Sequence, residues 1–393
     1  MKNFKITVYQ YKTHMENIKS VFIALVILLI YVSCTSSEKR KTSVETSETD
    51  ILELIYFIAD EMDMKIMCDI DMIGGDLYQK KTAEELIRQS NYYMEEYHEK
   101  YGSHASFWGW YLNNELNPLE QSDVEQSLFW RTIWKSVVDK SKAISPGTKV
   151  TISPFFLLDK EGYRGFKYLN PEIYEEWWYH TMKETGIDIL MLQDSGAEHL
   201  SFFTLEDRKP FFQAFANACR KAGKEFWMNV ETGQVEAKDW AHALQMEKDF
   251  DRKWAFTEIN WLKQKLDLAA EYATGIINWG YYPLMNPVEE YSVLTIQDID
   301  GQPVELSSRK NNYDAYKDYV DHLSTRIPQG KLTRPKLNGT LWFLPLELGS
   351  QSREELEKAV GQEILNQKEV GFEFLWICNT PKHFKPASSE NNK

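Results

Sequence analysis

The chain has 393 residues, 43% of them hydrophobic and 26% charged, which is the composition of a folded globular protein and not of a disordered one. The net charge of −14, without any run of Lys and Arg, argues against nucleic-acid partners because nothing would offset the repulsion of phosphates. Aromatic residues make up 14% of the chain, and they serve either a large aromatic core or the stacking of sugar rings. Carbohydrate binding is thus one of two interpretations of the aromatic content, and we expect a monomer.

The N-terminal segment has the pattern of an export signal. The apolar run VFIALVILLIYVS, residues 21–33, is short for a membrane span and suits a signal-peptide core. Ser33 and Cys34 end this run in the manner of a bacterial lipobox, in which the cysteine is lipidated and becomes the mature N-terminus. We therefore expect a signal peptide over 1–34 and a lipid anchor at Cys34. Plain secretion and an N-terminal anchor helix are the alternatives.

The residues after Cys34 are typical of a flexible tether, and the predicted lipid anchor indicates where the protein is located. Residues 35–50, TSSEKRKTSVETSETD, are polar and low in complexity, so we expect a flexible linker between the lipid and the folded part. The expected location is the bacterial cell envelope, at the outer membrane or in the periplasm. The four cysteines of the chain match no zinc-ligand spacing.

From Ile51 onward, helical and strand patterns alternate. A helix is predicted from Ile51, a second from the capping box Thr82–Glu85 to about Tyr101, and further helices over 124–143, from Asn170–Pro171, over 204–222 and over 256–273. Short apolar strands are predicted between them, at 65–70, 107–112, 149–155, 188–193, 225–230 and 275–280. This alternation is typical of a parallel sheet built from βα units.

The C-terminal part adds the strands that a closed barrel needs. Residues 291–306 predict a hairpin with its turn at Asp300–Gly301, and a helix is predicted over 312–323. Two more apolar strands then follow, GTLWFLPL from 339 and GFEFLWICN from 371, on either side of a helix. Six strands and two make eight, so we predict one (β/α)8 TIM barrel over 51–384, with a disordered tail over 385–393. No glycine-rich phosphate loop follows any strand, which argues against a Rossmann fold.

Four segments in order, FWGWYLNNEL, TISPFF, DILMLQDS and WMNVET, resemble the glycoside-hydrolase-like barrel family called domain of unknown function 4434. The resemblance covers about residues 51–325. It implies that two strands should precede the helix at Ile51, and GTLWF and FEFLWIC look like those two strands at the other end of the chain. We therefore predict a circularly permuted barrel, with strands one and two at the C-terminus. A tandem gene with a truncated second copy is the alternative.

Counted in this way, strand four ends at Glu115 and strand seven ends at Glu231. The arrangement resembles the large clan of retaining glycosidases that carry catalytic glutamates at these two places. The resemblance implies that Glu115 is the acid/base, that Glu231 is the nucleophile and that Asn114 contacts a sugar hydroxyl. It also implies that Trp279 on strand eight stacks under the sugar. Glycoside hydrolysis needs two carboxylates, one to protonate the leaving oxygen and one to attack or stabilise the sugar cation.

Further polar and aromatic residues are placed at the same rim of the barrel. Gln193 and Asp194 end strand six, where they would hold substrate hydroxyls or orient the nucleophile, with capping of the following helix as the alternative. The remaining candidates for substrate contact, each with core packing or a structural role as the alternative, are Trp110, Asn229 and Tyr281. Asp69 and Asp71 lack a third ligand, so no metal and no cofactor is expected.

The sequence thus predicts a lipid-anchored glycosidase acting on an oligo- or polysaccharide. The alternative is a catalytically inactive glycan-binding lipoprotein on the same barrel, because a fold does not fix a function. A lyase or isomerase would need a metal or a basic residue at the rim, and the sequence offers no candidate.

Overall fold

The computed structural model describes residues 50–70, 81–114, 124–194, 202–231, 233–249, 254–256, 259–279, 292–297, 303–307, 317, 336–342, 344, 352–377, 380–384 and 386. The helices are α1 (Ile51–Glu61), α2 (Ala83–Tyr101), α3 (Val124–Ile144), α4 (Pro171–Thr185), α5 (Leu205–Ala222), α6 (Trp240–Lys248), α7 (Ile259–Tyr272), α8 (Arg353–Val370) and α9 (Thr380–His383). The strands are β1 (Lys65–Ile70), β2 (Phe107–Leu112), β3 (Lys149–Ile152), β4 (Ile189–Gln193), β5 (Glu225–Glu231), β6 (Gly233–Val235), β7 (Trp254–Phe256), β8 (Gly275–Trp279), β9 (Ser292–Gln297), β10 (Pro303–Ser307), β11 (Lys336–Trp342) and β12 (Phe374–Ile377).

Eight of these strands close a parallel barrel, in the order β1-β12-β11-β8-β5-β4-β3-β2. β11 pairs with β8, and β12 lies between β11 and β1, so the two C-terminal strands fill the gap between the last and the first of the other six. The predicted (β/α)8 TIM barrel and the predicted places of its C-terminal strands are confirmed. The circular permutation relative to other barrels stays a prediction.

Two separate apolar clusters show which side chains face into the barrel. The inner cluster contains strand residues only: Met67, Tyr111, Ile189, Met191, Trp227, Ile277, Leu341, Phe374 and Trp376. A much larger outer cluster joins the alternate strand residues, such as Ile66, Leu190 and Met228, to the apolar faces of the helices. Since successive side chains of a regular strand point to opposite faces, membership in one cluster fixes the direction of every second residue along a strand that has no register shift.

Side-chain caps fix where several helices begin. Capping boxes at Thr82–Glu85 and Thr204–Asp207 are present as predicted, and a third at Ser352–Glu355 begins α8. Asn170 occupies the N-cap position of α4 as predicted, but its side chain makes no capping hydrogen bond. Pro171 begins that helix instead by its fixed φ.

The connections between barrel elements contain one predicted and one unpredicted feature. β9 and β10 pair antiparallel, as expected for the hairpin over 291–306, whereas its turn at Asp300–Gly301 lies outside the described residues. Of the helix predicted over 312–323, the structure describes residue 317 alone, and that residue is helical. The segment between β5 and α7 contains α6 and the small antiparallel pair β6–β7. Among the residues that the structure describes, no helix has the length and apolarity needed to cross a membrane.

Candidate active site

Glu231 is the last residue of β5, at the end of the barrel where the carboxyl ends of the strands meet. Trp227 of the same strand belongs to the inner cluster, so Asn229 and Glu231, two and four residues later, face the same way. Glu231 is only 3% exposed and pairs in register with Trp279 of β8. The strand therefore delivers a buried carboxylate to the mouth of the barrel, where the active sites of this fold lie.

Asp194, the residue after β4, holds the backbone of Glu231. One carboxylate oxygen of Asp194 accepts a hydrogen bond from the Glu231 backbone N–H at 3.0 Å. Its other oxygen lies 3.0 Å from Lys265 Nζ and 3.3 Å from Arg208 Nη1. Lys265 Nζ also donates to the Glu231 carbonyl oxygen. Both backbone polar groups of Glu231 are thus tied to one buried set of charges.

We call Asp194, Arg208, Glu231 and Lys265 the ionic cluster. All four are buried, and their two positive and two negative charges balance when every member is ionised. Burial lowers the pKa of Lys265 and of Arg208, and the carboxylates of Asp194 and Glu231 oppose that effect in both. The carboxylate of Glu231 therefore acts on both buried cations in the same direction as the carboxylate of Asp194.

Polar side chains continue into the barrel below Glu231. Asn229 is fully buried, and its Nδ2 donates to Ser153 Oγ at 2.8 Å. Gln193, at the end of β4, donates from Nε2 to the Ser153 carbonyl oxygen at 3.1 Å. The Asn229 Oδ1 atom, by contrast, is buried without a hydrogen-bond partner. Polar side chains of β4 and β5 therefore meet Ser153 inside the barrel next to Glu231.

Two predicted substrate contacts have other neighbours in the structure. Trp110 belongs to the outer cluster, is fully buried and contacts the rings of Tyr97 and Phe107, so it packs between barrel and helix and is not available for stacking on a sugar. Asn114 is buried, and its Oδ1 accepts a hydrogen bond from Trp134 Nε1 of α3 at 3.0 Å. That bond fixes the amide and takes one of the two lone pairs of Oδ1, so the contact of Asn114 with a sugar hydroxyl stays a prediction.

Several predicted residues cannot be placed. Glu115, Tyr281 and Cys34 lie outside the described residues, and Trp279 is described for its backbone only. Gln193 and Asp194 lie at the end of β4 and Asn229 lies within β5, two residues before Glu231, so their roles toward a substrate stay predictions. Within the described ranges, no group of three His, Cys, Asp or Glu side chains could hold a metal ion.

Arg208 and Lys265 were not predicted as site residues, although the sequence places both on the apolar face of a helix. Arg208 lies on the same helical stripe as Phe211, Phe212 and Phe215, which are all buried. Lys265 likewise shares its stripe with Leu262, Leu266 and Ala269. A cation on the apolar face of a helix must have a buried partner, and the nearest strand-end carboxylates are the natural candidates.

Comparison with known proteins gives distant structural neighbours. A provisional alpha-L-fucosidase from Bacteroides thetaiotaomicron is 18% identical over 64% of this chain and 67% of that one, with a TM-score of 0.41. A provisional phosphonomutase from Burkholderia cenocepacia is 12% identical over 83% and 92% of the two chains, with a TM-score of 0.38. A 2,3-dimethylmalate lyase is 10% identical over 88% and 92%, with a TM-score of 0.35. These scores carry no argument about activity.

The sequence comparisons are more decisive. Among curated proteins, no sequence matches this chain. The profile of the domain of unknown function DUF4434 matches residues 2–291, which is most of the chain, and β11 and β12 lie beyond the matched residues. The chain therefore belongs to the DUF4434 family.

Proposed function

We propose that this protein is a retaining glycoside hydrolase, with Glu231 as the nucleophile and Glu115 as the acid/base. The observation that carries the proposal is the way Glu231 is held. It ends a barrel strand at the mouth, and Asp194 and Lys265 fix its backbone from both sides. A nucleophile must be held close to its productive position, and a strand end with buried supports meets that need better than a loop does.

The charges of the ionic cluster favour the nucleophile role for Glu231 over the acid role. A glycosidase nucleophile must be ionised, whereas the acid must keep its proton. Arg208 and Lys265 are buried beside Asp194, and one carboxylate cannot neutralise two cations. The ionised form of Glu231 would supply the second negative charge, so Arg208 and Lys265, the second of which also holds the Glu231 carbonyl oxygen, favour an anionic side chain.

The reaction follows from these two roles. Glu231 attacks the anomeric carbon while Glu115 gives its proton to the glycosidic oxygen, so that the C–O bond breaks and a glycosyl ester forms on Glu231. Glu115, now a carboxylate, takes a proton from water, which attacks the anomeric carbon and releases Glu231. Each step inverts the configuration of the anomeric carbon, so the two steps together retain it. The carboxyl groups should lie roughly 5–5.5 Å apart for this course.

A panel of aryl glycosides tests the assignment. We expect Glu231→Gln and Glu115→Gln each to lower kcat by at least about a thousandfold while leaving the fold and sugar binding intact. Glu225→Gln is the matched control, because Glu225 begins the strand that Glu231 ends and lies at the other end of the barrel. Wild-type turnover by either of the first two variants would refute the assignment.

We also propose that the protein is a monomer, anchored in the bacterial cell envelope through a lipid on Cys34, with an oligo- or polysaccharide as substrate. The anchor rests on the pattern of residues 21–34 in the sequence. The full-length chain expressed in bacteria should partition into the detergent phase of Triton X-114, and Cys34→Ser should move it to the aqueous phase. Equal partitioning of the two would contradict the anchor.

A further inference from the structure

Four tryptophans of the helix layer pack together, Trp130 and Trp134 from α3 with Trp177 and Trp178 from α4, and we call them the tryptophan stack. Trp134 stacks on Trp130 with ring centroids 5.9 Å apart and on Trp178 with centroids 6.2 Å apart. The ring plane of Trp177 lies at 90° to that of Trp134. All four side chains are buried, so the ring of Trp134 is held in one orientation by its neighbours.

The indole N–H groups of the stack have different surroundings. Trp134 Nε1 donates a hydrogen bond to Asn114 Oδ1 at 3.0 Å. The N–H groups of Trp130 and Trp178 are buried without a hydrogen-bond partner among the described residues. Packing between α3 and α4 thus tolerates an unpaired indole N–H, whereas the N–H of Trp134 joins the helix layer to the end of a barrel strand.

The bond between Trp134 and Asn114 lies where strand pairing stops. β2 pairs with β1 and with β3 as far as Leu112, and Asn114 follows two residues later, at the mouth end of the strand. Asn114 and Trp134 are 4% and 0% exposed, so water does not compete for their hydrogen bond. Beyond the paired part of β2, this bond therefore fixes the chain one residue before Glu115 in the sequence.

We propose that Trp134 is a positioning residue for the glycosidase reaction, because it holds Asn114 and thereby the backbone from which Glu115 follows. The inference rests on the proposed function, in which Glu115 is the acid/base, and adds the residue that supports this acid. A general acid must lie within hydrogen-bond reach of the oxygen that it protonates. Trp134 thus supports Glu115 from the helix layer, as Lys265 supports Glu231.

Trp134→Phe tests this role, because it removes the indole N–H and keeps an aromatic ring in the stack. Trp178→Phe is the matched control, since it makes the same change in a neighbouring, fully buried ring whose N–H has no partner in the described part of the chain. Thermal melting of both variants measures what the smaller ring costs in packing. A difference between them in catalysis then reports on the bond to Asn114.

The leaving group of the substrate distinguishes a misplaced acid from general damage. A phenyl glycoside needs a proton on its leaving oxygen, whereas 2,4-dinitrophenolate leaves without one. We expect Trp134→Phe to lower kcat/KM for phenyl glycosides about 10- to 100-fold relative to Trp178→Phe, up to the cost of a misplacement of about 1 Å. For 2,4-dinitrophenyl glycosides the two variants should be equal. Equal values on both substrates, or equal losses on both, would overturn the proposal.

A double-mutant cycle tests whether Trp134 acts through Asn114. Asn114→Ala removes the acceptor, so Trp134→Phe should have no further effect on the phenyl glycoside in that background. Any contact of Asn114 with the sugar cancels in this comparison, because both members of the pair lack it. The same loss in both backgrounds would show that Trp134 acts by another route and would refute the inference.

Hydrogen exchange separates this inference from the proposed function. The backbone amides of a peptide covering residues 109–118 should exchange about 2- to 12-fold faster in Trp134→Phe than in Trp178→Phe, the worth of one neutral hydrogen bond in local opening. If Glu115→Gln keeps wild-type turnover, the proposed function fails, and faster exchange would still support the hold of Trp134 on this strand end. Equal exchange in the two tryptophan variants would contradict that hold.

Discussion

Lys265→Met removes one charge from the ionic cluster while keeping nearly the same side-chain shape. Lys265 makes two contacts that this change would break, an ion pair with Asp194 and a hydrogen bond to the Glu231 carbonyl oxygen. The first contact concerns stability and the second concerns the position of the proposed nucleophile. One variant therefore tests both roles of the cluster.

The magnitude follows from burial. The side chains of Lys265 and Asp194 are 1% and 3% exposed, and removing one partner of such a pair leaves an uncompensated charge that costs about 3–5 kcal/mol. Arg208 remains 3.3 Å from Asp194 and keeps part of the compensation. We therefore expect the low end, about 3 kcal/mol in the free energy of unfolding. A shift of Glu231 by about 1 Å would lower kcat roughly a hundredfold.

Urea denaturation followed by tryptophan fluorescence measures the first effect, and turnover of an aryl glycoside measures the second. Lys135→Met is the matched control, because Lys135 pairs with Asp139 at 2.7 Å while both side chains are more than half exposed. Lys135→Met should lower the free energy of unfolding by less than about 1 kcal/mol. If Lys265→Met and Lys135→Met had the same denaturation midpoint and the same kcat, the positioning role of the cluster would be refuted.

Three further predictions concern the fold. Gly109→Ala should destabilise the protein by about 1–3 kcal/mol, because a Cβ there would lie 2.5 Å from the Lys149 carbonyl oxygen. Gly147→Ala is the control, since a Cβ at that position meets no atom within 4 Å. Equal denaturation midpoints for the two variants would contradict the prediction. Burial raises the pKa of Asp50, but hydrogen bonds and the neighbouring Lys100 outweigh it and hold that pKa below its ordinary value. As the pH falls, the Asp50 carboxylate of the unfolded chain therefore takes up its proton before that of the folded chain does. The free energy of unfolding of the wild type should consequently fall more steeply below about pH 4 than that of Asp50→Asn. Parallel pH curves from urea titrations of the two proteins would refute the lowered pKa of Asp50. Deletion of residues 336–393 should abolish cooperative thermal unfolding, unlike deletion of 387–393, because it removes β11 and β12; a cooperative transition in the shorter chain would show that these strands are dispensable.

Much of the barrel is predictable because its strands are short apolar segments between helices with readable caps. The two C-terminal strands were identified by counting, since a barrel of this kind needs eight, and their pairing with β8 and β1 bears out that count. The small β6–β7 pair was missed because strands of three residues carry no detectable period.

The direction of individual side chains was harder to predict than the strands themselves. Trp110 was a candidate for either substrate contact or core packing, and alternation along β2 could not decide, because the pairing of β1 with β2 shifts register between Ile66 and Met67. Barrel strands are apolar on both faces, so their sequence does not distinguish inside from outside. Lys265 and Arg208 reach the site from helices, and no reading of strand ends alone finds them.

The most direct test of the central claim is the mass of the peptide that carries residue 231 after treatment with a 2-deoxy-2-fluoro glycoside of the accepted sugar. Such a compound forms the covalent intermediate of a retaining glycosidase and leaves it slowly. We predict that the mass rises by one fluoroglycosyl unit and that fragmentation places this unit on Glu231. Turnover of the parent glycoside without any adduct, or an adduct on another carboxylate, would contradict the account.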